Sequence, residues 1–147
     1  MGQRQRNNEV YFLKIDFIFY NEEKIRVAVA EARADDGRPH LRQKAAGSDP
    51  TATQAVRNLT PLVKVMINAE QVIEYPERWL EVIDKTWSWA QKQKDCRYEI
   101  ARRRYAREDY KKTCCELHIS QSFYFRLIDC VKMYAALHAV QLGLIRV

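Results

Sequence analysis

The chain is predicted to be mainly α-helical: a helical N-terminal arm, a small β-hairpin, and a C-terminal helix-turn-helix with a long last helix. Three observations predict this. Four glycines and four prolines in 147 residues are too few for a turn-rich sandwich or barrel. Apolar residues recur at spacings of three and four along much of the chain, the period of a helix face. Beyond Ser120 no proline follows and Gly143 is the first glycine, so a helix begun there meets no early stop signal.

Residues 1–8 are polar and are expected to fray. From Val10 to Ala34 helix formers dominate, with Leu13, Phe17 and Tyr20 at spacings of four and three. Leu13, Ile15, Phe17 and Phe19 also alternate, as in a strand. Asn21 followed by Glu22 and Glu23 is an N-cap with an acidic first turn, which favours two short helices meeting near Tyr20–Asn21. Residues 35–48 carry Gly37, Pro39 and Gly47 with hardly an apolar anchor and read as a flexible linker. Asp49-Pro50 opens a short helix to about Leu59, closed by Pro61. Leu62 to Ile67 and Val72 to Tyr75 are β-prone runs around a polar link, a hairpin that needs helices to lie on. Pro76 starts a helix whose Trp79, Leu80, Ile83, Trp87 and Ala90 fall on one stripe, read as core. The expected division is an arm over 1–34, the linker, and a compact helical domain over 49–147, with the helix-turn-helix from about residue 95.

Composition, 47% hydrophobic and 30% charged, fits a globular protein. The densest apolar stretch, Val10 to Tyr20, is interrupted by Lys14 and Asp16 and is too short to cross a bilayer. No apolar targeting segment precedes it, so the expectation is a soluble, cytoplasmic protein without a membrane partner. Cys96, Cys114, Cys115 and Cys130 show no metal-knuckle or redox gap, and His40, His118 and His138 complete no zinc site. No metal and no cofactor are expected. Glu77, Glu81 and Asp84 share a helix face without a base or nucleophile beside them, and there is no phosphate loop or Ser/His/Asp arrangement. An enzyme is therefore not expected.

Net charge is +6, and residues 92–112 hold nine basic and four acidic groups, five of the six net charges. A focused positive patch attracts polyanions. The stretch after it has the layout of a helix-turn-helix. Tyr110, Thr113 and Leu117 form the inner face of a first helix, and Cys114 is the small residue where two helices touch. Leu117-His118-Ile119 makes the turn with Ile119 as plug, and Ser120 caps the second helix. Tyr124, Leu127, Ile128 and Val131 then point inward. At about 100° per residue, Ser122, Phe125, Arg126 and Asp129 point outward, and Gln121 reaches past the helix start. Gln and Arg suit bidentate contacts to adenine and guanine, and an aromatic surface suits the thymine methyl. The expected base-contacting residues are Gln121, Ser122, Phe125 and Arg126. The expected phosphate-contacting residues are Arg103, Arg104, Arg107, Lys111, Lys112 and Ser120. His118 holds a turn position that often prefers glycine, which histidine tolerates.

In order, the chain shows an aromatic break at Phe17 to Tyr20, a Ser48-Asp49-Pro50 opening, and a hairpin leading into Tyr75-Pro76-Glu77-Arg78-Trp79-Leu80. Arg103-Arg104-Tyr105 and Leu117-His118-Ile119-Ser120-Gln121-Ser122 follow. This resembles the phage late-gene transcriptional regulators of the ArpU and RinA kind, over most of 49–147 and more loosely 9–34. The last segment is similar to region 4 of bacterial sigma factors, whose base-contacting places fall here on Gln121, Ser122, Phe125 and Arg126. Phe125 departs from the polar residue common in that module. The resemblance implies control of transcription. The function expected is sequence-specific binding of promoter DNA by helix 120–131, as a homodimer, since one such module gives modest affinity and paired half-sites add specificity. Two alternatives stand beside it. One is a DNA-packaging subunit of the small-terminase kind. The other is an adaptor that binds RNA polymerase through Phe123 and Phe125.

Overall fold

The computed structural model describes residues 2–36 and 60–146, with side chains from residue 9 onward in the first segment and up to residue 34. Among them are six helices and one hairpin: α1 (Gly2–Tyr20), α2 (Glu22–Asp36), β1 (Lys64–Met66), β2 (Val72–Glu74), α3 (Pro76–Lys92), α4 (Arg97–Tyr105), α5 (Tyr110–Leu117) and α6 (Gln121–Gln141). The mainly helical class, the hairpin and the long last helix are as expected. The linker beyond Asp36 and the helix opening at Asp49-Pro50 lie outside the described residues. No helix among the described residues is long and apolar enough to cross a membrane.

The chain divides differently from the sequence reading. Among the described residues, those up to Glu22 and from Glu81 onward form one compact unit, and those from Glu23 to Leu80 form another. The first helix is therefore no arm: α1 packs on α6. It also starts at Gly2, within the stretch expected to fray.

Within the larger unit α6 is the central element, packed by α1, α4 and α5. Its Tyr124, Leu127, Ile128, Val131, Ala135 and Ala139 are buried at helical spacing, which is the pattern a central helix needs. The stripe expected on α1 is corrected: Leu13 is 69% exposed, and Ile15, Ile18 and Phe19 are the buried residues. Two apolar stripes overlap along this helix, and packing against α6 selects the one containing Ile15. Asn21 ends α1, its side-chain Nδ2 donating to the Phe17 carbonyl at 2.8 Å. Phe19 meets Trp87 edge-on and Tyr105 at a tilt, with centroids 5.3 and 5.2 Å away. Trp89 of α3 stacks on Tyr134 of α6 at 4.2 Å. The tryptophans thus serve packing, as offset and edge-to-face ring pairs do.

In the smaller unit the strands pair antiparallel, with Val65 opposite Ile73 and Met66 opposite Val72. Val65 and Ile73 are buried and their neighbours along each strand are exposed, the alternation of a one-sided hairpin. Asn68 sets the link, its Oδ1 accepting from the Glu70 and Gln71 amides at 3.1 and 3.0 Å. Arg33 of α2 bonds Glu77 at the start of α3, Nε to Oε1 2.8 Å, and the Thr60 carbonyl at 2.9 Å.

Candidate nucleic-acid interface

The segment from Asp109 to Val131 is built by capping. Asp109 is the N-cap of α5, its Oδ1 accepting from the Lys111 amide at 3.3 Å. Thr113 and Cys114 are buried while Cys115 is exposed, as expected of neighbours on a helix. The Cys114 thiol donates to the Ser120 carbonyl across 3.9 Å, so a small side chain does sit where the two helices approach. Burial pushes that thiol's pKa up.

His118 ends α5 in the left-handed region, φ 55 and ψ 46. The Ile119 amide closes on the Cys114 carbonyl at 3.0 Å, and the chain reverses over three residues. Ser120 is the N-cap of α6, its Oγ accepting from the Phe123 amide at 3.1 Å. Its hydroxyl hydrogen is left to donate outward. Tyr124, Leu127, Ile128 and Val131 are 1 to 4% exposed.

The outward face follows from that inward one. Gln121, Ser122, Phe125 and Arg126 are all exposed, beside Asp129. Phe125 is 41% exposed, with Tyr110 of α5 against one side of its ring at 5.2 Å and Tyr124 meeting it at 5.1 Å. The contact between Phe125 and Tyr110 escaped sequence reasoning. Tyr110 was read only as an inner-face residue, and a ring pair between two helices leaves no local spacing signal.

The cationic run does not act as one patch, and the expected phosphate contacts divide. Arg107, Lys111 and Lys112 are exposed. The Arg107 guanidinium lies 4.7 Å over the Tyr20 ring, and its backbone is left-handed at φ 65. The Lys112 Nζ is 3.9 Å from Glu116, a loose exposed pair. Arg103 sits among carboxylates, with Nε 2.8 Å from Glu99 and its other end on Glu116, so its charge is largely answered within the fold.

Arg104 is a correction. Its guanidinium turns inward to Asp16 at 3.2 Å and is not a free phosphate contact. Asp16 also accepts from the Tyr105 hydroxyl at 2.7 Å and pairs with the Lys132 Nζ at 3.0 Å. Burial works against the Arg104 charge, but the Asp16 carboxylate more than offsets it and raises the guanidinium's pKa. Burial, then Asp16, pushes the Tyr105 phenol above its ordinary range. Arg97 is likewise committed, held bidentately by Asp95 at 2.8 and 2.6 Å and lying 5.0 Å over Trp89.

No match to this chain is found among protein-family models, curated proteins or solved structures. A capped helix start with exposed Gln, Ser, Phe and Arg can meet base edges. Arg107, Lys111 and Lys112, with the Ser120 hydroxyl, can meet phosphates.

Proposed function

We propose that the protein binds double-stranded DNA sequence-specifically and regulates transcription, with the start of α6 entering the major groove. One observation carries this reading. Gln121, Ser122, Phe125 and Arg126 share the exposed face of a capped helix that follows a three-residue turn, and exposed Arg107, Lys111 and Lys112 precede it in the chain. Bidentate side chains at a helix start supply discrimination, and cations supply the sequence-independent attraction. Promoter DNA as the target and a phage or prophage setting belong to the same proposal, as the resemblance of these motifs to sigma-factor region 4 and to phage late-gene regulators implies. Dimeric action belongs to the same reading, because paired half-sites add the specificity that one module lacks.

The test is selection of bound duplexes from a random pool by the full chain, followed by sequencing. A palindromic motif bound with a steep salt dependence is the expected result. Absence of any salt-sensitive DNA binding overturns the reading and favours a protein-binding adaptor.

A further inference from the structure

We propose that Phe125 reads the C5-methyl group of a thymine, and that Tyr110 is the positioning residue that holds its ring for this contact. The inference rests on the reading that α6 enters the major groove, and names one chemical group recognised there.

Phe125 is a large apolar side chain on an otherwise polar face, with Gln121 and Ser122 before it and Arg126 and Asp129 after it along α6. It is two-fifths exposed while its ring touches those of Tyr110 and Tyr124, at 5.2 and 5.1 Å. Tyr110 and Tyr124 are themselves 6.1 Å apart, so three rings from two helices form one cluster. Rings packed this way gain beyond their buried area and lose rotamer freedom. Phe125 therefore offers a pre-set apolar surface and not a mobile one.

An apolar surface gains from burial only against another apolar group. In the major groove the thymine methyl is that group, and cytosine, adenine and guanine present polar atoms at their edges. Gln121 lies one helical turn before Phe125 on the same ridge, so an adenine contact and a thymine contact fall on neighbouring positions of one site.

The experiment scans the selected duplex with wild-type protein, replacing each thymine singly by deoxyuridine, which removes only the methyl. Binding is followed by fluorescence anisotropy at one fixed salt concentration. One position per half-site is expected to lose roughly four-fold in affinity, the value for one buried methyl. Phe125→Ala is expected to erase that thymine-to-uracil ratio and keep the salt dependence. Tyr110→Ala is expected to shrink the ratio, an effect that a merely structural role would not produce, since general loosening weakens both duplexes alike. A selected site without thymine, equal binding of every uracil duplex, or an unchanged ratio in Phe125→Ala overturns the proposal while leaving DNA recognition standing. Failure to select any sequence overturns the underlying reading as well.

Discussion

Arg104 Nη2 lies 3.2 Å from Asp16 Oδ2, a residue 88 positions earlier in the chain. Through Lys132 and Tyr105 the same carboxylate joins α1 to both α4 and α6. The helix that carries the candidate recognition face is thus anchored by an ion cluster to which it contributes only Lys132. Lys132 and Arg104 are nearly enclosed, with side chains 11 and 20% exposed. Removing Asp16 leaves two cations without a counter-charge, a loss of roughly 3 kcal/mol when one partner of a buried pair is deleted. Asp16→Ala is expected to lower the unfolding free energy obtained from urea titration by that amount. Asp16→Ala combined with Lys132→Met should recover part of it. If the double variant is less stable than Asp16→Ala by the full cost of a core substitution, the coupling is absent.

This division of the arginines yields a second prediction. Each phosphate neutralised by a cation adds about 0.9 to the slope of log affinity against log salt. Lys111→Ala, Lys112→Ala and Arg107→Ala should each flatten that slope by roughly one such unit. Arg104→Ala should lower stability and leave the slope unchanged. Arg126→Ala should keep the slope and reduce discrimination between the selected site and a scrambled one. Salt titrations of the five variants on both duplexes check all three statements. An Arg104→Ala slope as flat as that of Lys112→Ala would return Arg104 to the interface.

What was legible beforehand divides along the same line. The turn was readable because its determinants are local. Ser120 is a cap within three residues of the amide it binds, Cys114 is small where size matters, and Tyr124 to Val131 repeat at helical spacing; the Asp109 cap, equally local, went unread. The hairpin was readable from its β-prone runs and the Asn68 link. The inward face of α1 was not, because Leu13 and Ile15 are equally apolar and only the presence of α6 distinguishes them. The fate of Arg104 was not readable either, since a charge run looks the same whether its members meet solvent or a distant aspartate. Arg103 was a middle case: Glu99 stands one helical turn before it, a local pairing signal that the net charge of the run concealed.

The turn also stores a small strain. His118 adopts φ 55, is exposed, and pays the left-handed penalty of a residue with a Cβ. Glycine relieves that penalty but adds freedom to the unfolded chain. His118→Gly is therefore expected to stabilise by roughly 0.5 kcal/mol, the difference between these opposed effects. Because α6 keeps its Ser120 cap, DNA affinity should be unchanged. Thermal unfolding and anisotropy on the same sample check it. A lower melting temperature would mean that the imidazole makes a contact the backbone geometry does not require.

Alkaline conditions probe the anchor through Tyr105. Burial, and then the Asp16 charge, raise the pKa of this phenol above its ordinary value of 10.0, and burial raises that of Tyr124 in the same direction. The folded protein thus keeps protons that the unfolded chain releases. The sign follows from linkage: the stabilisation is fully present below pH about 10 and declines as pH rises above it, by at most about 1.4 kcal/mol per pH unit for each such tyrosine. Urea midpoints measured from pH 8 to 11 should fall only beyond that point. Tyr105→Phe loses the 2.7 Å hydrogen bond to Asp16, so it should be less stable at pH 8 and fall less steeply above pH 10. Phenolate absorbance should show that part of the tyrosine signal appears only as the chain unfolds. Equal steepness in Tyr105→Phe and wild type would mean that Tyr105 titrates freely in the folded state, and that Asp16 is reached by solvent.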